Sequence, residues 1–131
     1  MHEMNNNNWQ TWLVKGDQYF KSAVPEGRKS KFIPAIRYNM LSMSFESYVM
    51  AIMDFHKKLP DNHTYTDLVD ALETVEPLSE SLKQRILKYE NIQSICSIEK
   101  YHTEDPTEEE LQDLEGAIRE VAVIAHRVCT E

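Results

Sequence analysis

Apolar side chains recur every three or four residues through most of this chain, and that spacing is the strongest constraint on its fold. The pattern is typical of amphipathic helices, because strands alternate apolar and polar residues one by one. The sequence has only three glycines and no Asn-Gly or Asp-Gly pair that would favour a tight hairpin. We therefore expect an all-α protein.

Loop and capping residues divide the pattern into five segments. Pro34 suits the first turn of a helix, Pro77 stops one, and Thr107 with Glu110 forms a capping-box signature. The predicted helices cover residues 9–23, 33–58, 64–76 and 79–101, with a fifth that begins after Thr107. The helix at 33–58 has apolar residues on more than one face, which predicts a central position in the bundle. Four long helices and one short helix joined by short loops predict an up-and-down bundle of four to five helices.

The length of 131 residues fits one domain. We assign residues 1–8, with their run of asparagines, to a flexible lead-in and residues 9–131 to the bundle. A signal-peptide pattern and an apolar run of roughly 18 residues are both missing, which predicts a cytoplasmic protein without membrane association. Cys96 and Cys129 have neither CxxC spacing nor nearby histidines, so we expect reduced buried thiols, no metal site and no cofactor.

The net charge of −8 is unevenly distributed along the chain. Residues 1–58 hold eight Lys/Arg against five Asp/Glu, and residues 59–131 hold six against seventeen, which gives +3 and −11. Binding to a nucleic-acid backbone depends on Lys and Arg. An acidic half therefore argues against a general nucleic-acid coat and restricts any phosphate contact to a local site.

Four stretches together resemble a known family of small helical bundles. They are the first helix "WQTWLVKGDQYFKSA", Glu46 within "MLSMSFESYVMAIM", "HTYTDL" from His63, and "EKYHTEDPTEEELQDLEGA" with Tyr101 and Pro106. In this order they are similar to the HEPN family, found beside minimal nucleotidyltransferases and in ribonuclease toxins. The chain departs from the family at Met50, where a lysine commonly follows the glutamate by four residues.

The resemblance implies a candidate catalytic pair, Arg119 and His126. Ribonucleases of the family carry an arginine followed, after four to six residues, by a histidine. A histidine can move the proton of a 2′-hydroxyl while a guanidinium holds the phosphate, with no metal required. Seven residues of helix place both side chains within about 20° of one line but separate them by about 10.5 Å along the axis.

A structural interpretation of the same pair is the simpler one. Arg119 would pair with Glu115 one turn earlier, and His126 and Arg127 would stabilise the C-terminus of the helix. Glu115 and Glu120 would also repel an RNA backbone. Catalysis therefore needs a second groove wall, from another helix or a partner chain.

A basic cluster is the second candidate site. Arg28, Lys29, Lys31 and Arg37 lie within ten residues without an intervening acid, at the entrance to the second helix. Free backbone amides there would help these side chains to hold a nucleotide or phosphate. The alternative is a basic loop that docks on the acidic half of the protein or on a second subunit.

Glu46 and His63 are assigned structural roles. Because a buried carboxylate needs a partner, we expect Glu46 to pair with a Lys or Arg of another helix. His63 precedes a helix and is expected to satisfy backbone amides or pack at its entrance. A titrating role for His63 is the alternative, although the sequence indicates no partner for it.

Three functions are compatible with these features. We expect a non-catalytic HEPN-like module that binds a nucleotide or a protein, as a homodimer or with a partner such as a nucleotidyltransferase. The alternatives are a metal-independent endoribonuclease that uses Arg119 and His126, as in toxin–antitoxin systems, and a structural bundle without a ligand.

Overall fold

The computed structural model describes residues 8–24, 32–90 and 106–130. The all-α prediction is confirmed, since these residues form five helices and no strand. The helices are α1 (Asn8–Ala23), α2 (Pro34–Phe55), α3 (Tyr65–Glu73), α4 (Glu80–Leu87) and α5 (Glu108–Val128). The predicted lead-in lies outside the described residues except for Asn8, which is the first residue of α1.

The second helix is the centre of the bundle, as its apolar sequence predicted. It contacts α1, α3 and α5, and half of its 22 residues are buried. Its methionines divide between two environments: Met50 and Met53 belong to the core, whereas Met43, seven residues before Met50 on the same line of the helix, is exposed. The Met-rich stretch is therefore only partly core.

Local capping explains where the helices begin and end. Thr64, Ser79 and Thr107 each accept a hydrogen bond from a backbone N–H three residues later, and the predicted capping box at Thr107 and Glu110 is complete. Helix α2 ends three residues before the predicted boundary. The N–H groups of Lys57 and Lys58 bond back to Asp54 and Met53 in the Schellman pattern, with Lys57 at a φ of 62°.

The predicted fourth helix, residues 79–101, is interrupted. Helix α4 ends at Leu87, residues 88–89 form a turn and Glu90 is helical again, whereas residues 91–105 lie outside the described part of the chain. Tyr89 accounts for the break, because its hydroxyl donates to Asp113 (2.6 Å) and its carbonyl accepts from Tyr38 (2.8 Å). These tertiary hydrogen bonds thus lie at the turn that interrupts the helix.

A close contact between helices lies at Gly16 of α1. A Cβ atom at this position would stand 2.7 Å from two ring carbons of Tyr48 on α2. The buried Ser44 hydroxyl donates to the Gly16 carbonyl at 2.8 Å. Glycine is therefore required by the approach of the two helices.

Cys129 is buried at the end of α5, as predicted, and burial raises the pKa of its thiol to about 11. Cys96 lies outside the described residues.

Candidate functional site

The predicted pair, Arg119 and His126, lies along the contact between α5 and α1. His126 Nε2 lies 3.0 and 3.1 Å from the two carboxylate oxygens of Asp17. The Arg119 guanidinium carbon lies 4.9 Å from the centroid of the Phe20 ring, a cation–π contact. Helix α1 of the same chain thus forms the second groove wall beside Arg119 and His126, which the sequence did not identify.

Asp17 connects three helices at this point. The hydroxyl of Tyr48 on α2 donates to Asp17 Oδ1 at 2.6 Å, beside the contact with His126. Burial, and then the hydrogen bond to Asp17, raise the pKa of Tyr48 well above its ordinary value. Tyr48 is therefore a protonated donor at neutral pH, and Asp17 is the shared acceptor of α2 and α5.

The expected partners of the last helix are different in the structure. Glu115 accepts a hydrogen bond from Arg37 at 3.1 Å rather than from Arg119. Arg127 donates sideways to Glu76, beyond the end of α3, at 2.6 Å. The expected pairing of Arg119 with Glu115 is thus replaced by the contact with Arg37, whereas His126 and Arg127 lie in the last turn of α5, as expected.

Arg37 is the member of the basic cluster that the structure describes. Its two terminal nitrogens donate to Glu108 at 2.8 and 3.2 Å, and one also donates to Glu115. The hydrogen bond to Glu108, opposed by burial, raises the pKa of Arg37. Its side chain is only 12% exposed. Arg28, Lys29 and Lys31 lie outside the described residues.

A groove between α2 and the start of α3 has a volume of about 260 Å³. We call it the α2–α3 groove. Helix α2 forms one wall, and the chain that enters α3 forms the other. The lining residues are Asn39, Ser42, Met43, Glu46, His63, Tyr65 and Leu68.

Glu46 and His63 contact each other within this groove. Glu46 Oε2 forms a short hydrogen bond with His63 Nδ1, and both side chains are about one-third exposed or more. The expectation that Glu46 pairs with a Lys or Arg is therefore wrong. Thr64 and not His63 accepts the backbone N–H at the start of α3, whereas His63 packs at the helix entrance against Glu46, the other arrangement expected for it. A carboxylate bonded to one ring nitrogen orients the other, as in many acid–base and ligand sites.

Two hydroxyl groups form the floor of the groove. Ser42 Oγ and the Tyr65 hydroxyl lie 2.5 Å apart. The Tyr65 ring is buried and packs edge-on against Phe45, with centroids 5.2 Å apart. Burial raises the pKa of Tyr65 well above its ordinary value, so its hydroxyl stays protonated. The groove thus combines polar groups with the buried, closely packed ring of Tyr65.

Comparison of the chain with protein-family models, curated proteins and solved structures finds no significant match. The HEPN assignment stays a prediction from the quoted motifs.

Two further features concern only residues 8–24, 32–90 and 106–130. No helix among them is long and apolar enough to cross a membrane. They also contain no group of three or more His, Cys, Asp or Glu side chains placed to hold a metal ion.

A signal for the α2–α3 groove was present in the sequence. Asn39, Ser42, Met43 and Glu46 are spaced by three, four and seven residues, which places them on one face of a helix. Three of the four are polar, on a helix whose other residues are mostly apolar. The contact of Glu46 with His63 could not be predicted from helical spacing, because it depends on the turn at Lys57 between α2 and His63.

Proposed function

We propose that this protein is a non-catalytic, HEPN-like interaction module that contacts a partner protein through the α2–α3 groove. The observation that carries the proposal is the groove itself, with the Glu46–His63 contact and the exposed Met43 at its rim. A polar site beside exposed apolar surface is typical of interaction sites. A nucleotidyltransferase is the partner that the HEPN resemblance implies.

The charges favour a protein over a nucleotide as the ligand. Lys and Arg are missing from the described residues that line the groove. Arg37, at the other candidate site, already donates to two glutamates and is nearly covered. A phosphate would have to displace these carboxylates, so nucleotide binding at Arg37 is the weaker proposal.

Site-specific photocrosslinking tests the proposal. We expect benzoylphenylalanine in place of Met43 to form a discrete adduct with one protein in native cell extract. Val123 on α5 is the matched control, because it is also an exposed apolar helical residue. The Met43 adduct should fall at least several-fold when His63→Ala is added. Equal adducts at Met43 and Val123, or none at Met43, would contradict the proposal.

A ribonuclease is the second candidate function, and the contact between Asp17 and His126 favours it. A carboxylate that orients a histidine is a common feature of general bases, and His126 is half exposed. Two features oppose this function. The carboxylates of Asp17 and Glu115 would repel a phosphate near Arg119 and His126, and the Arg119 guanidinium lies over the Phe20 ring.

If the protein is an interaction module, we expect no RNA cleavage in EDTA above the level of a buffer control. Radiolabelled single-stranded RNA would be incubated with the wild type, His126→Ala and His56→Ala. His56 is an exposed histidine at the end of α2 and serves as the matched control. Metal-independent cleavage that His126→Ala abolishes and His56→Ala preserves would establish the second candidate instead.

A further inference from the structure

The charge of the α2–α3 groove restricts the chemistry of its occupant. Glu46 is the carboxylate among its lining residues, and no lysine or arginine lines it within the described chain. Two more carboxylates accept hydrogen bonds from the threonines on either side of Tyr65: Asp67 accepts from Thr64, and Glu90 accepts from Thr66. The local field is therefore negative, which favours a cationic group and opposes a phosphate.

The hydrogen-bonding groups in the groove require a ligand with several donors. When His63 is neutral and Nδ1 donates to Glu46, Nε2 becomes an acceptor. The second oxygen of Glu46 and the amide oxygen of Asn39 are further acceptors on the α2 wall. A guanidinium has five donors in a planar fork and is weakly hydrated, whereas an ammonium has three donors and is strongly hydrated.

The walls and the volume of the groove fit a single long side chain. Met43 and Leu68 supply apolar surface for a hydrocarbon stem. A volume of about 260 Å³ lies just below the roughly 300–1,000 Å³ of sites for drug-sized ligands. A group smaller than a nucleotide is therefore the better match.

The surface around the groove distinguishes a protein from a small cation. Ile36 and Met43 lie seven residues apart on one line of α2 and are 41% and 44% exposed, and Ile33, just before the helix, is 59% exposed. A free guanidinium compound would leave most of this apolar surface in water. A protein that inserts one side chain would cover it, because the contacts around a central anchor in an interface exclude water.

We propose that the α2–α3 groove is a pocket for the arginine side chain of a partner protein. Glu46 pairs with the guanidinium, His63 accepts one of its N–H groups, and Met43 covers its stem. This inference rests on the proposed function and specifies the chemistry of the partner at the same groove.

An NMR titration of the ¹⁵N-labelled full chain tests the pocket. N-acetyl-arginine amide should shift resonances of α2 and of His63 to Leu68 with a dissociation constant of roughly 1–10 mM. N-acetyl-citrulline amide has the same length without the charge and should bind at least about tenfold more weakly. N-acetyl-lysine amide should bind about fivefold more weakly than the arginine compound.

Two variants separate the pocket from the general negative field. Glu46→Gln should weaken binding of the arginine compound at least about tenfold, because it removes the paired charge but keeps the size of the side chain. Asp70→Asn removes a charge from an exposed position on α3 outside the groove. It should change the dissociation constant less than about twofold, because salt screens exposed charges.

The possible outcomes distinguish this inference from the proposed function. No binding of the arginine compound, equal binding of citrulline, or unchanged binding to Glu46→Gln would overturn the pocket even if the Met43 adduct is present. Tighter binding of agmatine, by tenfold or more, would also overturn it and indicate a small free cation. Absence of the Met43 adduct would instead overturn the proposed function.

Discussion

Replacing Gly16 with alanine is expected to destabilise the protein by about 2 kcal/mol and lower its Tm by roughly 8 °C. The new Cβ atom would stand 2.7 Å from the buried ring of Tyr48, which must then move. Overpacking of this kind costs about 1–3 kcal/mol, and weakening the buried bond from Ser44 to Gly16 and the part-buried bond from Tyr48 to Asp17 adds up to about 1 kcal/mol each. The roughly 1 kcal/mol of helix propensity that alanine gains over glycine offsets only part of this cost. Thermal and urea unfolding followed by circular dichroism measure the difference.

Gly116→Ala on α5 is the matched control for Gly16→Ala. Its Cβ atom would meet only the far end of the partly exposed Arg85 side chain, at 2.8 Å. Because that guanidinium can shift, we expect no loss of stability and a gain of up to about 1 kcal/mol. In a Tyr48→Leu background the penalty of Gly16→Ala should fall by at least about half. Equal effects of the two glycine substitutions would contradict the close contact at Gly16.

Arg37→Met is expected to lower the free energy of unfolding by about 2–3 kcal/mol near neutral pH. The substitution leaves Glu115, whose side chain is 14% exposed, without its donor. Breaking a buried ion pair by removing one partner costs about 3–5 kcal/mol, and the partial exposure of this pair lowers the expected value. Urea unfolding near pH 7 measures the loss.

The loss should become smaller as the pH is lowered. Burial raises the pKa of Glu115, while the hydrogen bond and charge of Arg37 lower it. Removing Arg37 therefore raises the pKa of Glu115 further. A carboxyl whose pKa is higher in the folded than in the unfolded state binds its proton more readily on folding, so acid favours the folded variant. The difference from the wild type should thus be largest above the folded pKa of Glu115 and should shrink below it.

Arg127→Met is the matched control for Arg37→Met. Arg127 also donates to a glutamate of low exposure, Glu76 at 17%, but the Arg127 side chain itself is 60% exposed, against 12% for Arg37. An ion pair with one solvated partner contributes about 0–1 kcal/mol, so we expect a loss within about 1 kcal/mol. If Arg37→Met has an effect as small as that of Arg127→Met, Arg37 is not a structural residue. Its assignment to a phosphate site would then become the better explanation.

Local sequence signals predicted the helices well where the cause of the boundary was also local. The capping box at Thr107, the proline at the start of α2 and the central position of α2 are confirmed. The end of α4 was missed, because hydrogen bonds from Tyr38 and to Asp113 hold Tyr89 outside the helix. No pattern within residues 79–101 contains that information.

In the candidate sites, too, the positions along one helix were predictable and the contacts between helices were not. Helical spacing placed Arg119 and His126 on one edge of α5, and it was sufficient to place Asn39, Ser42, Met43 and Glu46 on one face of α2. Their partners come from distant parts of the chain: Asp17 lies 109 residues from His126, and Glu46 lies 17 residues from His63.

Apolar periodicity and capping residues were enough to establish the helical class, because they act through backbone hydrogen bonds and side chains within a few residues. The pairing of Glu46 with His63, of Asp17 with His126 and of Arg37 with Glu108 required the packed bundle. These pairs depend on how helices approach one another, at places such as Gly16 where the ring of Tyr48 packs against the backbone of α1. That approach reflects side-chain shapes summed over the whole core, and no single segment contains it.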